Sequence, residues 1–229
     1  MSPSRFEIIE ACVFDAYGTL FDVNSAVASL RDRVGPQHGA LSAAWRVRQL
    51  EYTWLRSLMK SHVDFWQLTA DALWVSLREF SLDRENLHEE LMQAYLHLAA
   101  FPEVRRVLAL LRQAGLRCAI LTNGSPMMIE SAVANAGIGD YIEQQLSVES
   151  VGIYKPDARV YQLAVDRLGV SAERIAFLSS NAWDAAGAAH FGFAVAWVNR
   201  YSQPPERLPG TPAASLSTLD ELPPLLGIC

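Results

Sequence analysis

The chain has 229 residues, 51% of them apolar and 19% charged, with a formal net charge of -6 at pH 7. That is enough apolar material for a substantial core, in one large domain or in one ordinary domain carrying an insertion, and it argues against disorder. No basic cluster interrupts the acidic balance, which speaks against nucleic acid as a partner, and no apolar stretch is long enough to cross a bilayer.

The opening residues, MSPSRFEIIEA, hold acids where a secretory leader would have its apolar segment, so a cytoplasmic setting is expected. ACVF (11 to 14) is an apolar run of strand length, ended by Asp15 and followed by a glycine-containing turn and Thr19. From 23 to 98 the pattern is helical throughout and rich in aromatics. That stretch reads as a cap inserted after the first strand, with residues 1-22 and 99-229 forming the core. Alternation then sets in: helix over 102 to 114, strand over 117 to 121, helices over 125 to 136 and 157 to 168, strand over 174 to 178, helix over 182 to 190 and strand over 193 to 198. The helices end near Gly115, Gly137, Gly169 and Gly192, which suits helix C-termini. After the Pro-rich loop SQPPERLPGTPAA, a last short strand or helix is expected around 215 to 225. Short continuous apolar runs between helices predict an α/β fold with an open parallel sheet. Cys12 and Cys118 lie in two of these runs, and with Cys229 they make an odd number, consistent with free thiols in a reducing compartment.

Polar residues stand directly after the apolar runs: Asp15 with Thr19, Thr122 with Asn123, Lys155 in YKPD, and Ser179, Ser180, Asn181 and Asp184 in LSSNAWD. Each taken singly reads as a turn former, a helix cap or a solvated loop residue. Together they converge on one sheet edge, where open α/β sheets bind ligands, and they supply a carboxylate, an ammonium, hydroxyls and amides. Such a set supports nucleophilic catalysis by a carboxylate.

VFDAYGTLFD, LTNGS, YKPDARVY and SSNAWDAAGAAHFG, in this order, resemble the four motifs of the haloacid dehalogenase superfamily, and more narrowly of its L-2-haloacid dehalogenases. The resemblance runs from about residue 8 to about residue 200 and includes WRVRQLEYTW in the cap. It implies a Rossmann-like core with a helical cap domain.

Two departures from the superfamily's phosphatases favour the narrower group. Their first motif is Asp-x-Asp, whose second acid protonates a leaving alkoxide. Here Tyr17 stands in its place, with an ordinary pKa of about 10. Their fourth motif has an acid that helps hold Mg²⁺, a metal that prefers carboxylate oxygens; here Ser180 aligns with it, leaving Asp184 as the second acid. Halide needs no proton to leave, and a singly charged haloacid needs no metal.

The resemblance therefore implies a metal-independent (S)-2-haloacid dehalogenase without a cofactor, acting on short L-2-haloalkanoates. Asp15 would displace halide from C2 with inversion, forming an ester. Arg46 and Asn123 would stabilise the halide, Thr122 and Ser179 would bind the substrate carboxylate or orient Asp15, and Lys155 would keep Asp15 ionised. Asp184, with Asn181 and Lys155, would direct water onto the ester to give a D-2-hydroxy acid. Thr19 belongs to the catalytic set, and Tyr17, Leu50, Phe65 and Trp183 match an apolar pocket, with Tyr161 near the lysine. On a helix Arg46, Leu50 and Trp54 share one stripe, and periodicity alone favours an arginine that snorkels to water; the match of WR to the family's cap arginine points instead to the halide role. The resemblance also implies a homodimer through the aromatic-rich stretch from 52 to 80, the alternative being that Trp54, Trp66 and Trp74 pack the cap against itself. A phosphatase of the same fold and a non-catalytic binding relative are the rival readings.

Overall fold

A computed structural model describes residues 5–84 and 86–228. Strand β1 (Ala11–Phe14) is buried along its whole length, as a strand covered on both faces must be. It lies between β2 (Arg117–Thr122) and β4 (Ile175–Ser179), both parallel to it, with Phe14 opposite Ile120 and Leu178. The sheet has six parallel strands in the order β3-β2-β1-β4-β5-β6, with β3 Gln144–Ser147, β5 Ala194–Val198 and β6 Ala214–Leu216. Chain order reverses beside β1, and the crevice at such a switch point is where ligands bind.

The helices between strands are α6 (Val104–Gln113), α7 (Pro126–Ala136), α8 (Ala158–Leu168) and α9 (Ala182–Phe191). Their starts are coded locally. Ser125 accepts the Met128 N–H ahead of Pro126, and Asp157 accepts that of Arg159, supplying partners for amides that a helix leaves free. Gly137 closes α7 in the left-handed region. Packing of α6 on β2, α7 on β3 and α9 on β4 and β5 completes the layered core.

Two features differ from expectation. The sequence pattern shows no strand over 144 to 147, because QQLS is a short, mostly polar edge strand with only Leu146 and Ser147 buried. Lys155 thus follows a strand after all. Over 215 to 225 both predicted outcomes occur, β6 and the short α10 (Leu222–Leu225).

Between β1 and α6 the chain forms α1 (Ser25–Ser29), α2 (Arg31–Val34), α3 (His38–Leu58), α4 (Phe65–Glu79) and α5 (Leu87–Leu96), and no strand among the described residues. These helices pack mainly on one another. The chain crosses out of the core and back at adjacent points, where Phe21 bridges Ala100 and the Asp22 N–H donates to the Ala99 carbonyl at 2.8 Å. Along α3 the fully buried stripe is Leu41, Trp45, Gln49 and Thr53. Arg46, Leu50 and Trp54 form a half-buried stripe beside it. Cys12 and Cys118 are buried free thiols paired across β1 and β2, while Cys229 lies outside the described residues. No helix among the described residues is long and apolar enough to cross a membrane.

Candidate active site

The turn after β1 places Asp15 where its backbone N–H still donates to Leu178, so the carboxylate starts from a fixed point of the sheet. Gly18, with φ of 93°, lets the chain fold back so that the Thr19 hydroxyl reaches that carboxylate. Thr19 Oγ1 donates to Asp15 Oδ2 at 2.9 Å and accepts the Ser180 N–H at 2.8 Å. Asn181 Nδ2 donates to the same Oδ2 at 2.9 Å and to the Tyr17 carbonyl at 3.1 Å. Lys155 Nζ donates to Oδ1 at 3.1 Å. Oδ2 therefore accepts two hydrogen bonds and Oδ1 one, which leaves Oδ1 the freer lone pair.

Behind Asp15 extends a buried acid–lysine–acid group of which it is one member. Lys155 Nζ also donates to Asp184 Oδ2 at 2.9 Å, and the Tyr161 hydroxyl donates to Asp184 Oδ1 at 2.8 Å. Burial works to lower the Lys155 pKa, but Asp15 and Asp184 outweigh it, so the ammonium is held above its ordinary value. Burial raises the carboxyl of Asp184 above its ordinary value, with Lys155 opposing. Asp184 and Lys155 do not form an isolated charge in either direction; they and Asp15 compensate one another.

From the helical side, α3 brings in Arg46. Its Nη2 donates to Asn181 Oδ1 at 3.1 Å and to the Tyr17 carbonyl at 3.3 Å. Asn181 therefore touches both Asp15 and Arg46. Around them stand apolar walls. Tyr17 is buried, its ring stacked on Tyr95 at 5.6 Å and tilted against Phe65 at 5.9 Å. Its hydroxyl has no hydrogen-bond partner among the described residues. Burial above all pushes the Tyr17 phenol well up, so it is no proton donor comparable to a carboxylic acid. The tyrosine needs Gly124 beside it, where a Cβ would come within 2.6 Å of the ring. Trp183 meets Trp54 edge-on at 5.4 Å, and Leu50 lies half-buried one turn before Trp54.

The remaining expected residues make contacts that hold the frame of the site. Asn123 Oδ1 accepts the backbone N–H of Lys155 at 3.1 Å and so fixes the lysine loop. Thr122 Oγ1 accepts the Gly124 N–H at 3.0 Å, and Ser179 Oγ accepts that of Asn181 at 3.2 Å. Neither hydroxyl bonds to Asp15. The expectation that Thr122 or Ser179 orients the aspartate is thus corrected: both hold backbone turns, and Thr19 and Asn181 make the direct bonds. Tyr161 is fully buried behind Asp184 and packed among Phe177, Phe191 and Phe193, so it faces the core. Of the three cap tryptophans, Trp54 reaches across to α9, Trp66 is half-buried and Trp74 is 52% exposed beneath the Arg78 guanidinium.

Sequence reading misses several supports. Gln49 and Tyr95 lie buried beside Arg46 and Tyr17. Arg200 donates to the Thr19 carbonyl at 2.8 Å, pairs with Glu103 at 2.6 Å and covers the Phe101 ring. Only the i+3 spacing of Gln49 from Arg46 and the i+4 stripe from Leu41 carry a signal for Gln49. Arg200 has none beyond its place after β5. Among the described residues no three His, Cys, Asp or Glu side chains gather as a metal site would require.

A carboxylate held by three donors, a lysine shared with a second carboxylate and a helical cover bearing a cation define the catalytic crevice of an α/β hydrolase. The chain belongs to the haloacid dehalogenase-like hydrolases, whose sequence profile matches residues 9–192. It is 47% identical to (S)-2-haloacid dehalogenase 4A of Burkholderia cepacia over 219 residues, 95% of each chain. A solved dehalogenase with an intermediate complex superposes with a TM-score of 0.94 at 46% identity, over 96% of this chain and 98% of that one. The L-2-haloacid dehalogenase of Xanthobacter autotrophicus, solved with chloropropionic acid covalently bound, does so with a TM-score of 0.90 at 36% identity, again over 96% and 98%.

Proposed function

We propose that this protein is a metal-independent (S)-2-haloacid dehalogenase that converts short L-2-haloalkanoates to D-2-hydroxy acids. Asp15 attacks C2 through Oδ1 opposite the carbon–halogen bond. The bonding pair leaves with the halide, and C2 inverts. Arg46 and Asn123 stabilise the departing anion, a charge-stabilising role that usually contributes most to catalysis. Thr122 and Ser179 bind the substrate carboxylate, and Tyr17, Leu50, Phe65 and Trp183 enclose the alkyl group.

Water then adds to the ester carbonyl of Asp15, and one of its protons passes to Asp184 while Asn181 and Lys155 hold it in place. Collapse expels the C2 oxygen with its C2–O bond intact, the second proton of the water passes to it to complete the hydroxy acid, and Asp15 returns as a carboxylate. The proton on Asp184 leaves to solvent. Tyr161 and Lys155 keep Asp184 aimed, and its raised pKa makes it a better base than an exposed aspartate. A metal-free site is supported by Tyr17 and Ser180 standing where the superfamily's phosphatases carry acids, and by the Lys155 ammonium bonded to both Asp15 and Asp184.

The observation that carries this reading is Asn181 bonded at once to Asp15 and Arg46, which sets a nucleophile and a cation side by side. The covalently bound chloropropionic acid in the Xanthobacter relative supports the ester. Residues 23-98 act as the cap domain on a core of 1-22 and 99-229. A groove of about 730 Å³ on the outer face of α3 and α4, lined by Tyr52, Leu55, Met59 and Trp74, supports a homodimer through the cap. The buried thiols support a cytoplasmic setting.

The test is chloride release from each enantiomer of 2-chloropropanoate in the presence of EDTA, with Asp15→Asn as control. Release from the L enantiomer alone, lost in the control, is expected. Release that requires Mg²⁺, or that survives Asp15→Asn, would overturn the mechanism.

A further inference from the structure

Arg46 is half-buried, yet every hydrogen bond it makes among the described residues goes to a neutral acceptor: the Gln49 amide, the Tyr17 carbonyl and the Asn181 amide. A guanidinium in such surroundings normally meets a carboxylate. The partner that replaces one is Gln49, whose Oε1 accepts Arg46 Nη1 at 2.8 Å.

Gln49 is itself held in one orientation. It is 1% exposed, so its amide must find partners inside the protein. Its Nε2 donates to Thr69 Oγ1 at 2.7 Å and to the Tyr95 hydroxyl at 3.2 Å. The single hydrogen of Thr69 Oγ1 is committed to the Phe65 carbonyl at 2.6 Å, so this hydroxyl only accepts from Gln49. That fixes the amide nitrogen toward α4 and the amide oxygen toward Arg46. Tyr95, the second anchor, stacks on Tyr17 beside the nucleophile. The buried stripe of α3 and the first turns of α4 thus form a rigid mount for one guanidinium.

From this geometry we infer that Gln49 is a positioning residue of the halide site: it aims Arg46 at the leaving group and, being neutral, keeps the guanidinium free of any directly bonded carboxylate, so that its donors can turn to an arriving anion. The inference rests on the dehalogenase reading above for the identity of the anion. A glutamate would form a stronger bond to Arg46 and neutralise the charge that the halide requires, while its second oxygen would face Thr69 Oγ1, whose hydroxyl must then turn away from the Phe65 carbonyl.

Bromide binding to the resting protein, followed by calorimetry, tests the inference without turnover, alongside kcat and KM for L-2-chloropropanoate. Gln49→Glu is expected to weaken bromide binding and to lower kcat by about a hundredfold each, the scale of one lost charge interaction at a reacting centre. KM, which also contains the substrate carboxylate, changes much less. Gln49→Met removes the hydrogen bond without adding charge and is expected to lose less, about tenfold. A merely structural role predicts losses that follow each variant's loss of urea stability, and that result, or a loss for Met equal to or larger than for Glu, overturns the inference. So does bromide affinity of wild type strength in Gln49→Glu. Should Gln49→Glu not fold, Thr69→Val and Tyr95→Phe loosen the mount instead; both are expected to weaken bromide binding several-fold, and no change in either overturns the proposal. Failure of the wild type to release halide would strike the dehalogenase reading, while the bromide series still decides the role of Gln49.

Discussion

Two cations approach Asp15 from opposite sides, and they are embedded differently. Lys155 comes from the sheet side, is 1% exposed and is shared by two buried carboxylates. Arg46 comes from the helical side, is half-buried and has only neutral partners. A compensated ammonium holds resident groups in place and has little attraction left for a newcomer. A guanidinium that meets its nearest carboxylate only through the Asn181 amide does the reverse. The charge state of each cation's neighbours, more than the cation itself, separates a structural from a ligand-directed role.

Removing Lys155 should break this contrast most severely. In Lys155→Met two buried carboxylates are left without a cation between them, and the loss is expected at about 3–5 kcal/mol, together with activity. Urea unfolding measures it, and adding Asp184→Asn should restore much of the stability and none of the turnover. Equal stability of Lys155→Met and wild type would show that the acid–lysine–acid group does not hold the core.

Arg46→Ala should affect the opposite quantities. Halide release is expected to fall by about a hundredfold or more, with a smaller change in the urea midpoint than for Lys155→Met, since no resident carboxylate is abandoned. A destabilisation as large as that of the lysine variant would erase the distinction between the two sides.

The smallest effects come from pH. Asp184 has its pKa raised above the ordinary 3.8, so the acid limb of kcat should lie above that value, and Asp184→Asn should abolish the limb along with the second step. The stability contributed by the raised pKa of Lys155 is fully present below its ordinary 10.5 and lost as pH rises through the raised value. Alkaline urea titrations of wild type and Lys155→Met should therefore converge at high pH.

Sequence and structure agree best where burial is continuous. ACVF, RCAIL, RIAFL and FAVAWV mark β1, β2, β4 and β5 because a central parallel strand must be apolar on both faces. β3 escapes because an edge strand needs no such run. Asp15, Thr19, Asn181 and Asp184 are legible for a topological reason: each follows an apolar run that marks a strand, and parallel strands deliver their ends to one place, whereas Lys155 follows the strand the pattern misses and is legible only from the resemblance of YKPDARVY. Gln49, Thr69 and Tyr95 are not. Amphipathic reasoning assigns a polar residue on a helix to solvent, and only the packing of α4 against α3 and α5 turns Gln49 and Thr69 inward.

The adjacent crossings at Asp22 and Ala99 can be put in polymer terms. Residues 23 to 98 form a loop whose ends are already tied by a backbone hydrogen bond, and the entropy of closing a flexible loop rises by only about 0.6 kcal/mol for each doubling of its length. Insertions and deletions between the helices are therefore nearly invisible to the sheet. The half of the site that carries Arg46, Gln49 and Phe65 is free to be rebuilt for a different leaving group or side chain, while the half that carries Asp15, Lys155 and Asp184 stays as it is.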